Sequence, residues 1–165
     1  MIKKSHIDEN GVTSEAIYSD CEKYRYTLSR TWDNKLDGIL FIGLNPSTAT
    51  ELKNDPTVTR MINYAKAWNF GSITVCNAFA FRSTFPKDLK KTEEPVGEEN
   101  DKYIMNEAQK SKMIMAAWGN HAQYLGRSKQ ILSSLGTVHH LGITKQGEPR
   151  HPLYLKSNLK PILMN

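Results

Sequence analysis

Hydrophobic residues fall along this chain in short runs separated by polar stretches of helical length. The runs are Gly38–Ile42, Ser72–Cys76, Lys112–Trp118 and Thr137–Leu141. Each is too short for a helix. The first, Gly38–Ile42, is unbroken rather than alternating, which suits a strand covered on both faces. Between the first two runs, Val58, Met61, Ile62, Ala65 and Trp68 follow helical spacing, with Asp55 placed as N-cap and Pro56 at the first helical position. Glu98–Lys110 and His121–Leu135 predict further helices, and Lys156–Met164 a last one. Strands alternating with helices through right-handed crossovers imply an α/β fold. The expectation is a three-layer α/β/α arrangement around a central, mostly parallel four-stranded sheet.

The N-terminal third has a different rhythm. Tyr24, Tyr26 and Leu28 alternate with Arg25 and Thr27, the pattern of a half-exposed strand, and Ser14–Asp20 fits a hairpin arm. These add N-terminal strands to the sheet. Residues 1–15 are polar and expected to be poorly ordered. Residues 78–97 form a long connection with two prolines, and loops of that length inside a compact domain often line sites.

Size and composition narrow the class. At 165 residues the chain is sized for a single domain, 1–165, that buries roughly two-thirds of its unfolded surface. Hydrophobic residues at 39% and charged ones at 24% are the balance of a globular protein, not a disordered one. No apolar stretch approaches the roughly 20 residues of a membrane span, so no membrane partner is expected. Cys21 and Cys76 have neither metal-ligand spacing nor the density of a disulfide scaffold, and a cytoplasmic setting is the natural reading. His139 and His140 are adjacent on a strand, hence on opposite faces, so no metal site is expected there. No cofactor is implied, and a monomer is expected. A net charge of +5 permits a polyanionic partner without requiring one.

Four loops follow the apolar runs, beginning at Gly43, Asn77, Gly119 and Gly142, and parallel strands would bring them to one edge. Open α/β sheets place ligands at the carboxyl ends of their strands. The first loop, Gly43-Leu44-Asn45-Pro46-Ser47-Thr48, is turn chemistry with short polar side chains. Asn77 ends the second run and fits a turn cap as well as a ligand-reading amide. His151 fits a loop histidine as well as a site residue, and Trp118 a core residue as well as a stacking platform.

Taken in order, these loops resemble the site-forming segments of the uracil-DNA glycosylase superfamily. Gly43-Leu44-Asn45-Pro46 matches its first motif, in the Asn version of the mismatch-specific branch. The strand Ile73–Asn77, continuing to Arg82, resembles the one whose terminal asparagine reads a flipped pyrimidine. Trp118-Gly119-Asn120-His121-Ala122-Gln123 is similar to a third segment, and Arg150-His151-Pro152 to the loop that wedges into the minor groove. Within the superfamily the chain resembles a group of small bacterial and phage proteins sharing the Arg25–Trp32 strand and the Leu44-Asn45-Pro46-Ser47-Thr48-Ala49 loop. Two departures stand out. The strongest uracil excisers carry Asp at the Asn45 position, and Leu153-Tyr154 replaces small residues after His151-Pro152.

The resemblance implies an N-glycosidic hydrolase acting on uracil, or on a mismatched or modified pyrimidine, in DNA or a nucleotide. The alternative is a non-catalytic base- or nucleic-acid-binding module of the same fold. In the first reading Asn45 places the water and His151 donates to the leaving base, whose charge develops only as the bond breaks. Asn77 pairs with the base edge, with Phe79 and Phe81 as stacking faces. Ser47, Thr48, Arg82, Asn120 and His121 contact phosphate or the rest of the substrate.

Overall fold

The computed structural model describes residues 1–164 and contains one sheet of eight strands. In chain order these are β1 (Ile2–Ile7), β2 (Thr13–Tyr18), β3 (Arg25–Thr31), β4 (Gly38–Gly43), β5 (Ser72–Asn77), β6 (Met113–Ala116), β7 (His139–His140) and β8 (Ile162–Leu163). Their spatial order is β1-β2-β3-β5-β4-β6-β7-β8. Three α-helices accompany them: α1 (Pro56–Ala67), α2 (Asn100–Lys110) and α3 (Arg127–Ser134).

This corrects the expected architecture. The sheet is mixed and has eight strands, not four, and antiparallel pairings outnumber parallel ones by four to three. Apolar runs mark only strands buried on both faces, so residues 1–15, expected to be poorly ordered, instead supply β1 and the start of β2. β1 is the clearest case. Its residues are mostly exposed, yet all six pair with β2, from Ile2 opposite Tyr18 to Ile7 opposite Thr13. Backbone hydrogen bonds define it, and these leave no trace in hydrophobicity. The turns between β1, β2 and β3 are too short for a crossover, which forces antiparallel pairing. β3 then pairs antiparallel with β5, and the helices carry the chain between the parallel neighbours of β4.

Other expectations also moved. The segment 156–164 is not helical; turns lead to β8, which pairs with β7. The helix expected over His121–Leu135 is split into a 3-10 stretch, Asn120–Gly126, and α3, because Tyr124 leaves helical geometry and Leu125 takes φ 57°. The long connection 78–97 holds a 3-10 turn, Pro86–Lys91.

Alternate residues of β4 serve two cores. Ile39 and Phe41 pack with Val58, Met61 and Ala65 of α1, while Leu40 and Ile42 pack with Ile104 of α2 and Ile131 of α3. β4 is therefore apolar at every interior position, as its sequence is. α1 begins where expected: Pro56 is at its first turn, and Asp55 accepts from the Val58 amide at 2.8 Å.

Gly71 closes the turn that precedes β5. Its carbonyl accepts from the amides of Trp32 and Asp33, each at 3.0 Å. A Cβ built there would lie 1.9 Å from the Asp33 carbonyl oxygen, a backbone atom that cannot step aside. Gly71→Ala should therefore cost about 2–3 kcal/mol, as overpacking in a fixed frame does. Gly136→Ala, with nothing within 4 Å, should stay within about 0.5 kcal/mol of wild type. Urea denaturation of the two variants checks this, and equal midpoints would contradict it.

Candidate functional site

The parallel register of β4 and β5 sets Gly43 opposite Asn77, so both strands end at one level. Past them lies a cleft of about 540 Å³. Its walls come from the loop after β4, the start of α1, the end of β5, Ser83 and Thr84, Trp118–His121, and the loop carrying His151 and Leu153. Of the residues singled out from sequence, Asn45, Ser47, Thr48, Asn77, Asn120, His121 and His151 all line it.

Three do not. Phe79 is fully buried in the core and packs against Tyr124, with ring centroids 5.8 Å apart. Phe81 and Arg82 line a separate surface hollow. There Phe81 meets Tyr24 edge-on, while Arg82 donates to the Glu22 carbonyl at 3.0 Å and lies over the Tyr18 ring. The physical reason is the turn after β5. Ala78 and Phe79 donate to the carbonyls of Gly43 and Leu44, and this carries the chain away from the cleft immediately after Asn77. Among the described residues Trp118 is the only Phe, Tyr or Trp in the cleft wall. It is itself buried, its indole N–H donating to Glu148 at 2.9 Å.

Each polar group has a defined state. Asn45 Nδ2 donates to the carbonyls of Ser83 at 2.8 Å and Pro46 at 3.1 Å. Two carbonyls around the nitrogen fix the amide's orientation and leave Oδ1 as the acceptor for a ligand or water. Asn77 is buried and its Nδ2 has no partner. Gly43 makes room for it, because a Cβ at that position would lie 2.8 Å from Asn77 Oδ1. Asn120 Oδ1 and Thr144 Oγ1 are 2.6 Å apart, which ties the third loop to the fourth. Gly119 has φ 72°, a conformation natural to glycine, and brings that loop against His151.

His151 Nδ1 accepts from the Leu153 amide at 3.2 Å. In the neutral ring the proton is thus on Nε2, a donor available to the cleft. Burial holds the imidazole below its ordinary value of 6.5, and the Asp55 carboxylate pulls it partly back.

Asp55 and Arg25 are the site residues that sequence reading missed. Asp55 was recognised only as a helix cap. One carboxylate oxygen does cap α1, but Asp55 also lines the cleft, and among the described residues it is the only acidic one that does. Arg25 lay in an alternating strand pattern that marked it as outward-facing; instead it is buried and lines the cleft. Neither signal could be separated from its ordinary structural meaning without the fold.

Among the described residues, no group of three or more His, Cys, Asp or Glu side chains is placed to hold a metal ion. Nor is any helix among them long and apolar enough to cross a membrane.

The state of His151 can be measured. Because its folded value is depressed, the neutral ring's contribution to stability is complete above the unfolded value of 6.5 and is lost as pH falls through the folded value. The unfolding midpoint should drop on acidification below pH 6.5, and His151→Gln should flatten part of that drop. Long-range ¹H–¹⁵N NMR should find the Nε2–H tautomer. A protonated ring above pH 6.5, or an Nδ1–H tautomer, would contradict this reading.

No curated protein and no solved structure matches the chain. The family described as "Protein of unknown function (DUF1643)" matches residues 25–153. That segment runs from the first residue of β3 to the loop past His151 and takes in every residue of the cleft wall, and by it the chain belongs to the DUF1643 family.

Proposed function

We propose that this cleft is the active site of an N-glycosidic hydrolase acting on a pyrimidine (uracil, or a mismatched or modified base) in DNA or a nucleotide. One observation carries the reading. A fixed acceptor on Asn45, an unpartnered amide donor on Asn77, a neutral Nε2–H donor on His151 and the carboxylate of Asp55 all line the same cleft.

Each of these groups suits a step of glycosidic cleavage. As the bond from C1′ to the base nitrogen breaks, its electron pair passes to the base and charge develops on the carbonyl oxygen. His151 Nε2–H is suited to that charge, and being neutral it polarises without having to lose a proton first. Asn77 pairs with the polar edge of the base through Nδ2 and Oδ1. Asn45 Oδ1 accepts a hydrogen bond from water and so orients it toward C1′, but an amide has no useful basicity. The water's proton goes to Asp55. This answers the departure at position 45: the base that the first motif lacks is supplied from the start of α1.

The loop after His151 supports a polymeric substrate. Tyr154 is 94% exposed with φ 69°, so a large aromatic is held outward in a conformation that costs energy for a non-glycine residue. A stacking surface beside the cleft would help to hold a base outside the duplex.

The test is base release from single- and double-stranded DNA bearing uracil, mismatched thymine or modified pyrimidines, read as alkali-labile sites. Asp55→Asn keeps an equally good helix cap, so the unfolding midpoint should hold while turnover falls about 10²–10⁴-fold. His151→Gln should lower turnover about 10²–10³-fold. Asn77→Ala should weaken binding more than turnover. Base release that is unaffected by Asp55→Asn and His151→Gln would refute the assignment. Tight binding of the same DNA by wild type with no release would favour the binding-module reading.

A further inference from the structure

The cleft holds a cation that the glycosidic reading does not use. Arg25 is 2% exposed, and none of the ion pairs among the described residues involves it. Its Nη1 donates to the Ala49 carbonyl at 2.9 Å, and its Nε has no partner. Arg30, on the same strand, is the internal comparison. It donates from Nε to Asn54, from Nη1 to Ser29 and from Nη2 to Thr50 and Lys53, so its purpose is spent on the loop. Arg25 anchors the same loop by one hydrogen bond out of the five N–H groups a guanidinium carries.

A buried charge without a counter-charge is unfavourable unless something completes it. Burial lowers the Arg25 value to about 10, which leaves it protonated at neutral pH. Tyr18 and Asp55 favour the charged form from a distance, but neither forms an ion pair with Arg25 among the described residues. Asn77, on the neighbouring strand β5, lines the same cleft.

We propose that the inner wall of the cleft binds a compact oxyanion, a carboxylate or phosphate group of the ligand, on the free N–H groups of the Arg25 guanidinium. A planar fork of donors matches an oxyanion's paired acceptors. The site does not require the bond-breaking step, so it stands or falls separately from base release.

Thermal unfolding of the full chain tests it. Sodium phosphate and sodium acetate are compared with sodium chloride at equal ionic strength, with uncharged deoxyuridine as a further arm. Wild type should be stabilised by one of the two oxyanions; which one assigns the group as phosphate or carboxylate. Arg25→Met should weaken that anion's apparent affinity about tenfold or more. Asn77→Asp places a fixed carboxylate beside the site and should weaken it likewise, and it keeps the test decisive if Arg25→Met does not fold. The proposal is overturned if neither anion stabilises wild type, if deoxyuridine alone does, or if Asn77→Asp binds the anion as wild type does.

Discussion

The loop after β4 is held by two arginines from a strand that does not adjoin β4. Arg30 bonds the carbonyls of Thr50 and Lys53, and Arg25 bonds that of Ala49. Tyr18 adds its hydroxyl to Glu51 at 3.0 Å. A loop with this many turn residues has little apolar surface of its own to bury. Its position therefore depends on saturating its backbone carbonyls with buried donors, each worth more there than in water. β2 and β3 supply those donors. The antiparallel part of the sheet is thus part of the site's framework, and the cleft needs it as much as it needs the helices.

The second support is the level end of β4 and β5. Gly43 opposite Asn77 leaves space for one side chain where two would collide. Asn77's backbone carbonyl accepts from the buried Asn100 Nδ2 at 2.9 Å, so α2 pins the strand end from behind. Farther round the cleft, Glu148 accepts from Trp118 and from Ser128 at 2.7 Å, which locks the third loop, the fourth loop and α3 together. The polar groups facing the cleft are therefore carried by backbone that is fixed elsewhere. That is the usual condition for a preorganised site.

In the proposed reaction Asn45 and Asp55 divide work that a single carboxylate could do. Asn45 is immobilised by two carbonyls and keeps one acceptor, whereas Asp55 keeps a charge at the positive end of α1. A carboxylate at position 45 would face the carbonyls of Ser83 and Pro46 without a proton to give them. The local geometry accounts for the amide there.

Residues whose meaning is local were legible from sequence. The run of β4 is apolar because both faces are buried, and Asp55-Pro56 starts α1 because capping chemistry acts over three residues. The gathering of Asn45, Asn77, Asn120, His121 and His151 in one cleft followed from motif order along the chain. Tertiary structure decided what depends on partners distant in sequence. β1 and β8 exist through backbone pairing with neighbours, which polar or short segments do not advertise. Phe79 looked like a stacking face and is core, because the turn after Asn77 reverses its direction. Arg25 and Asp55 carry ordinary strand and cap signals, and only the packing of β3 and α1 around the cleft gives one a buried, unpartnered Nε and the other a place near His151. Hydrophobic period and capping are set by neighbours along the chain, while electrostatic environment is set by neighbours in space.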